Sequence, residues 1–211
     1  MGLIRRSFTY MDKSSFTTLF KSFVRPHLEY ANATWDIRLK NTRNMIENVQ
    51  RRATKCLSSC KGLSYVNRLE YLNLPCLAYR KLRGDLIEAF KLLANHYDEE
   101  AENPLSDKLS QNNRTRGHKL KLQKLTTRKT TTLRRRFFTN RITNFWNDLP
   151  EKVIAAPSVA SFERRLDKYW EKYKIKFDYQ KCMNFIDQTM SGVGALNLAD
   201  DTNYTNADLD I

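Results

Sequence analysis

No apolar run in the sequence approaches the roughly 18 residues that a membrane span needs. The protein is therefore expected to be soluble and intracellular, cytoplasmic or nuclear, with no membrane partner. The basic start Met1-Gly2-Leu3-Ile4-Arg5-Arg6 is not followed by an apolar block, so it does not read as a secretory signal. Gly2 lacks a second anchoring signal, which argues against a myristoyl anchor. Cysteine is scarce: Cys56, Cys60, Cys76 and Cys182 read as free thiols of a reducing compartment. Cys56 and Cys60 share a helix face, but zinc would need closer pairs and a second pair of Cys or His, and His27, His96 and His118 are scattered. No metal or cofactor is expected.

Catalytic signatures are missing as well. Gly-x-Ser-x-Gly, P-loop and His-Glu-x-x-His patterns are all absent. A polymerase needs paired carboxylates to hold two Mg²⁺ ions. The nearest string, Leu198-Ala199-Asp200-Asp201, lies in a Gly/Asn/Asp tail with no flanking hydrophobic strands, and it reads as a solvated acidic tail. Asp148 and Glu151 flank Pro150 and suit helix ends. By itself the chain is not expected to be an enzyme.

What the sequence does hold is a core-forming composition and an uneven charge. It is 41% hydrophobic and 28% charged, with 11 Phe, 10 Tyr and 3 Trp to anchor an interior. The formal net charge of +14 is concentrated. Residues 107–147 carry 12 basic side chains and 1 acidic one, net +11, whereas residues 184–211 carry no basic and 5 acidic ones, net −5. A polyphosphate attracts such a stretch whatever its sequence, because each neutralised phosphate releases condensed counterions. Candidate backbone contacts in it are Arg114, Arg116, Lys119, Lys121, Arg128, Lys129, Arg134, Arg135, Arg136 and Arg141, with Thr hydroxyls interleaved as further donors. Arg51, Arg52 and Lys55 add a basic helix edge. A charge run is as often simply a solvated face.

Helical periodicity dominates the first hundred residues. Asp12 or Ser14 can cap a helix with Phe16, Leu19, Phe20, Phe23 and Val24 on one stripe. Pro26 should end or kink it, or open a new turn in which Leu28, Ala31 and Trp35 face inward. Thr42 then caps a helix from Arg43 to about Ser59, buried through Met45, Ile46, Val49, Ala53, Cys56 and Leu57, with Gln50, Arg51 and Thr54 outside that face and Gly62 as its stop. Ser64 starts a short helix bearing Leu69 and Leu72. Pro75 opens the longest one, with Leu82, Leu86, Ile87, Phe90, Leu93 and Tyr97 on one side. His118 to Leu122 alternates polar and apolar as a short strand, with Thr126 to Thr132 as its hairpin partner. Leu133 to Leu149 is helical again, and Ser158 caps a last helix carrying Phe162, Leu166, Tyr169 and Trp170.

One string runs from Leu19 through Lys21-Ser22-Phe23-Val24-Arg25-Pro26-His27-Leu28-Glu29-Tyr30-Ala31-Asn32-Ala33 to Trp35, and Val49-Gln50-Arg51-Arg52-Ala53-Thr54-Lys55 follows. Others are Tyr79-Arg80, Leu82-Arg83-Gly84-Asp85-Leu86-Ile87, Arg116-Gly117-His118, Asn140-Arg141-Ile142, Trp146-Asn147, Leu149-Pro150 and Arg165-Leu166-Asp167-Lys168-Tyr169-Trp170. In this unbroken order, over residues 2–170, they resemble the region after the catalytic palm in jockey-type non-LTR retrotransposon reverse transcriptases, the RNA-directed DNA polymerases of these transposable elements. The resemblance implies thumb-side helices lying along a template–product duplex and gripping phosphate and sugar without reading bases. The family's acidic pair, its endonuclease and a Cys/His knuckle have no counterpart in this sequence, so activity is not implied.

The expectation is a mainly α fold: a multi-helix domain with one short β-hairpin and a disordered acidic C-terminal tail. Residues 1–103 form a helical thumb-like region, 104–178 a basic hairpin and C-terminal helices packed on it, and 179–211 the tail. The expected partners are RNA or DNA and a palm and fingers domain. Two other readings are a helical protein-interaction or structural module and a decayed retroelement remnant.

Overall fold

The computed structural model describes residues 6, 11–35, 40–94, 97, 103–110, 118–124 and 137–191. The fold is mainly helical. Helix α1 (Lys13–Leu19) is capped by Asp12, whose carboxylate accepts from the amides of Ser14 and Ser15. It runs into a π turn, Phe20–Val24, and then α2 (Arg25–Glu29). Pro26 therefore does not break the helical path. A proline strains the turn before it by clashing with the carbonyl four residues back, and the wider turn accommodates that. The extra residue also shifts the phase of the stripe. Phe16 and Phe20 point inward and stack at 5.8 Å, while Phe23, expected beside them, is 64% exposed. Ala31 turns the chain with φ of 50° and is exposed, unlike the half-buried Leu28 and Trp35.

Helix α3 (Lys40–Thr54) is followed by a 3₁₀ turn, Ser58–Cys60, and by Gly62 at φ 76°. Its inward face differs from the expected one. Met45 and Cys56 are exposed, whereas Glu47, Gln50 and Thr54 are buried alongside Ala53 and Leu57. Helix α4 (Tyr65–Leu72) begins at Ser64, whose hydroxyl accepts from the Asn67 amide, and ends on Asn73 in the left-handed region. Helix α5 (Leu77–Leu93) is the axis of the molecule, and α3, α9 (Val159–Glu171) and α10 (Tyr179–Ser191) all pack on it. Among the described residues, three short helices come between α5 and α9: α6 (Phe138–Arg141), α7 (Thr143–Asn147) and α8 (Glu151–Ile154). The first two stand in the described part of the single helix expected over Leu133 to Leu149.

One core joins these elements, so the regions before and after residue 103 share an interior. Phe90 stacks on Phe162 at 4.4 Å, and Trp146 lies 6.1 Å from the same ring. Tyr79 meets Trp170 edge-on at 5.6 Å, and Tyr173 packs on Phe185 at 5.0 Å. Such pairs add about 0.5–1.5 kcal/mol each beyond their burial.

Two expectations need correction. The tail does not begin at residue 179. Asp178 accepts from the Lys181 amide at the start of α10, which buries Cys182, Met183, Phe185 and Ile186. That apolar stripe outweighs the polar composition that follows it. The strand at His118 to Leu122 is, among the described residues, reduced to one antiparallel bridge, Leu109 to Leu122. It is framed by Ser110 N–H to Lys121 O and Gln123 N–H to Lys108 O, both at 2.7 Å. Its partner precedes it in the chain. Residues 126–132, the expected partner, lie outside the described residues, as do residues 192–211.

Gly84 sits within α5 where Asn32 crosses it. A Cβ there would lie 2.6 Å from Asn32 Nδ2, an amide that donates to the Lys81 carbonyl at 3.1 Å. Alanine normally stabilises a helix interior by about 0.5–1 kcal/mol over glycine. Here overpacking should reverse the sign, and Gly84→Ala is expected to lose roughly 1–3 kcal/mol in urea unfolding. A stabilised variant would mean that the Asn32 amide moves aside freely.

Candidate nucleic-acid interface

Apart from Arg51, the cations that bear on the site fall into two sets. The first is spent inside the fold. Arg80 donates to Glu29, with one contact at 2.8 Å. Arg83 forks onto Asp167 at 2.7 and 3.0 Å and reaches Glu163 at 3.2 Å, while the Tyr79 hydroxyl donates to the same Asp167 at 2.7 Å. Lys81 and Arg141 share Asp85: Lys81 Nζ donates at 2.8 Å, and the Arg141 guanidinium at 2.9 and 3.0 Å. Arg141 also donates to the Ala33 carbonyl at 2.8 Å, and Lys81 donates to the carbonyl of Asn32 and lies over the Trp35 ring.

These contacts join strings that are far apart in sequence. Glu29 and Asn32 meet Arg80, Lys81 and Gly84, Asp85 meets Arg141, and Arg83 meets Asp167. The Arg83-Gly84-Asp85 triplet is therefore structural throughout. Arg141, expected among the phosphate contacts, is corrected by its surroundings. It is 4% exposed and bidentate to a buried carboxylate, so it neutralises Asp85 and does not face a ligand.

No family model, curated protein or solved structure matches the chain. The site must therefore be read from its own geometry.

The second set faces outward. Arg52 and Lys55 are exposed at the C-terminal end of α3, where the helix dipole favours cations. Lys119 is exposed and Lys121 half-buried in the segment beside the Leu109–Leu122 bridge. Arg114, Arg116, Arg128, Lys129, Arg134, Arg135 and Arg136 lie outside the described residues. His118, in the same segment, is buried, with Nε2 3.1 Å from the Trp146 carbonyl and its ring edge-on to that indole. Burial lowers its pKa and keeps the imidazole neutral, so it adds no charge near neutral pH.

Arg51 belongs to neither set. Its guanidinium carbon lies 4.8 Å from the Tyr65 ring centroid and 5.1 Å from that of Tyr179, within cation–π range of both. Its Nε is buried without a hydrogen-bond partner. It borders a cavity of about 440 Å³ between α3 and α10. One turn before it on the same face, Glu47 accepts from the Tyr65 hydroxyl at 2.5 Å and from the Leu77 amide at 3.0 Å. Glu47 thereby holds a carboxylate at the N-terminus of α5, where the free amides favour it. Burial nevertheless dominates and pushes its carboxyl up to about 6. Gln50 completes the interior by donating to the Pro75 carbonyl at 3.1 Å.

This cleft is not legible in the sequence, because the polar composition after residue 183 masks its far wall, α10. Polar Glu47 and Gln50 at helical spacing with Arg43, Arg51 and Thr54 were the available signal. Among the described residues, no three His, Cys, Asp or Glu side chains converge as a metal would require, and no helix is long and apolar enough to cross a membrane.

Proposed function

We propose that the chain binds RNA or DNA through the sugar–phosphate backbone, without base readout and without polymerase chemistry of its own. It would act as a thumb-side piece of a retrotransposon reverse transcriptase, alongside a palm and fingers domain, with an acidic tail beyond α10. The supporting observation is how the charge is distributed. Residues 107–147 hold 12 basic side chains against 1 acidic. Arg52, Lys55 and Lys119 are exposed with no acidic partner among the described residues, while the buried Asp85 is neutralised by Lys81 and Arg141.

A salt titration of duplex binding tests this. If about five phosphates are neutralised, affinity should fall by about 2.7 decades between roughly 50 and 200 mM salt. Changing Arg134, Arg135 and Arg136 together to Ser should flatten that slope equally for all base sequences. Absence of binding at low salt refutes the proposal, and a sequence-selective loss refutes the backbone mode. The reading as a protein-interaction module draws on exposed apolar side chains, Tyr30 at 81% and Met45 at 70% above all. Sedimentation would reveal self-association.

A further inference from the structure

We infer that the cleft between α3 and α10 seats a single phosphate group of a nucleic-acid strand, with the Arg51 guanidinium as its forked anchor. This rests on the backbone-binding reading above and gives it a location.

An arginine at a cavity wall usually closes on a carboxylate. Arg51 does not: among the described residues it has neither an ion pair within 4 Å nor a hydrogen bond. The Tyr65 and Tyr179 rings lie against the guanidinium, but they occupy none of its outer N–H groups. A pre-oriented guanidinium with its outer N–H groups uncommitted has the geometry that a phosphate recognises bidentately, and aromatic clamping reduces the side-chain freedom lost on binding.

The acids nearby do not supply that partner. Glu47 lines the same space and feels the Arg51 charge, but both of its oxygens are engaged, by the Tyr65 hydroxyl and the Leu77 amide. Asp187, exposed at the rim, faces Arg43 at 3.6 Å and offsets that cation. Side-chain amides of Asn48 and Gln180 also line the space and can donate to phosphate oxygens. The cavity volume is within the usual range for a small polar ligand.

The test is fluorescence anisotropy with a labelled oligonucleotide across a salt series, on the full chain and its Arg51→Lys and Arg51→Gln variants. Arg51→Gln should bind about tenfold more weakly and lose one phosphate contact, about 0.7–0.9, from the slope of log affinity against log salt. Arg51→Lys should recover the slope but not the affinity, because a point charge replaces a fork. If the full chain binds and Arg51→Gln matches it in affinity and slope, the inference fails and the functional reading stands. Full recovery by Arg51→Lys also overturns the forked anchor. If the full chain does not bind, both fall.

A second measurement covers a variant that fails to fold. The sheltered Arg51 Nε–H resonance of the unmodified chain should move on titration with the oligonucleotide and, more weakly, with inorganic phosphate. No movement with either overturns the inference. Movement with phosphate that the oligonucleotide cannot displace marks a free-anion site, which overturns it equally.

Discussion

Replacing Asp85 with Ala should cost about 3–5 kcal/mol in urea unfolding, because it leaves two buried cations facing each other without their shared anion. Asp85 is 3% exposed and receives Lys81 from one turn before it on α5 and Arg141 from α6. Removing the carboxylate strands both charges, and the carbonyls of Asn32 and Ala33 compensate only partly. With total stabilities of about 5–15 kcal/mol, the loss should be close to unfolding the chain at physiological temperature. Changing all three residues together to apolar side chains of similar volume should be far milder than the single change. A single-variant loss below about 1 kcal/mol would mean that water reaches the trio and screens it.

Trp146→Ala is the second large effect, expected at about 3–5 kcal/mol. The indole is fully buried, 0% exposed, and packs between Phe162 and His118. It also does a polar job. Its Nε1–H donates to the Leu120 carbonyl at 2.7 Å, and its own carbonyl lies against His118 Nε2. The basic segment at 118–124 is thus pinned to the core at its start by this side chain, while Asn147 holds the amide and the carbonyl of Leu122. Trp146→Phe separates the two contributions: it keeps most of the apolar burial and loses the donor. Hydrogen exchange should then show residues 118–120 released while α5 and α9 remain protected. Equal loss of protection in all three would mean that the segment is integral to the core.

Local signals were legible in the sequence, and long-range ones were not. The caps at Asp12, Ser64 and Ser158, the axis helix α5 and the stripe of α9 follow from spacing and hydrogen-bonding chemistry confined to a few residues. Pro26 falls in the first turn of α2, one of the two places its chemistry suits, but nothing local announces the π turn before it, which puts Phe23 outside. The inner face of α3 misled for another reason. Glu47 and Gln50 are buried because α5 presents the Leu77 amide and the Pro75 carbonyl to them, and nothing near residue 47 announces that. Helix α10 had both a cap at Asp178 and a stripe through Cys182, Met183 and Ile186, but these were overshadowed by the tail's composition. Of the candidate site, the cations were readable as a set. Which of them the interior consumes was not, since Arg141 meets its carboxylate 56 residues away in sequence.

The Arg141 side chain also spans 109 residues to the Asn32 carbonyl. Ring closure of that length comes late, because the chain entropy it forfeits is recovered only after the helices on both sides have docked. The Asp85 trio should accordingly behave as a latch set after the folding barrier has been crossed. Weakening it would quicken the exit from the native state and leave the rate of entry almost untouched.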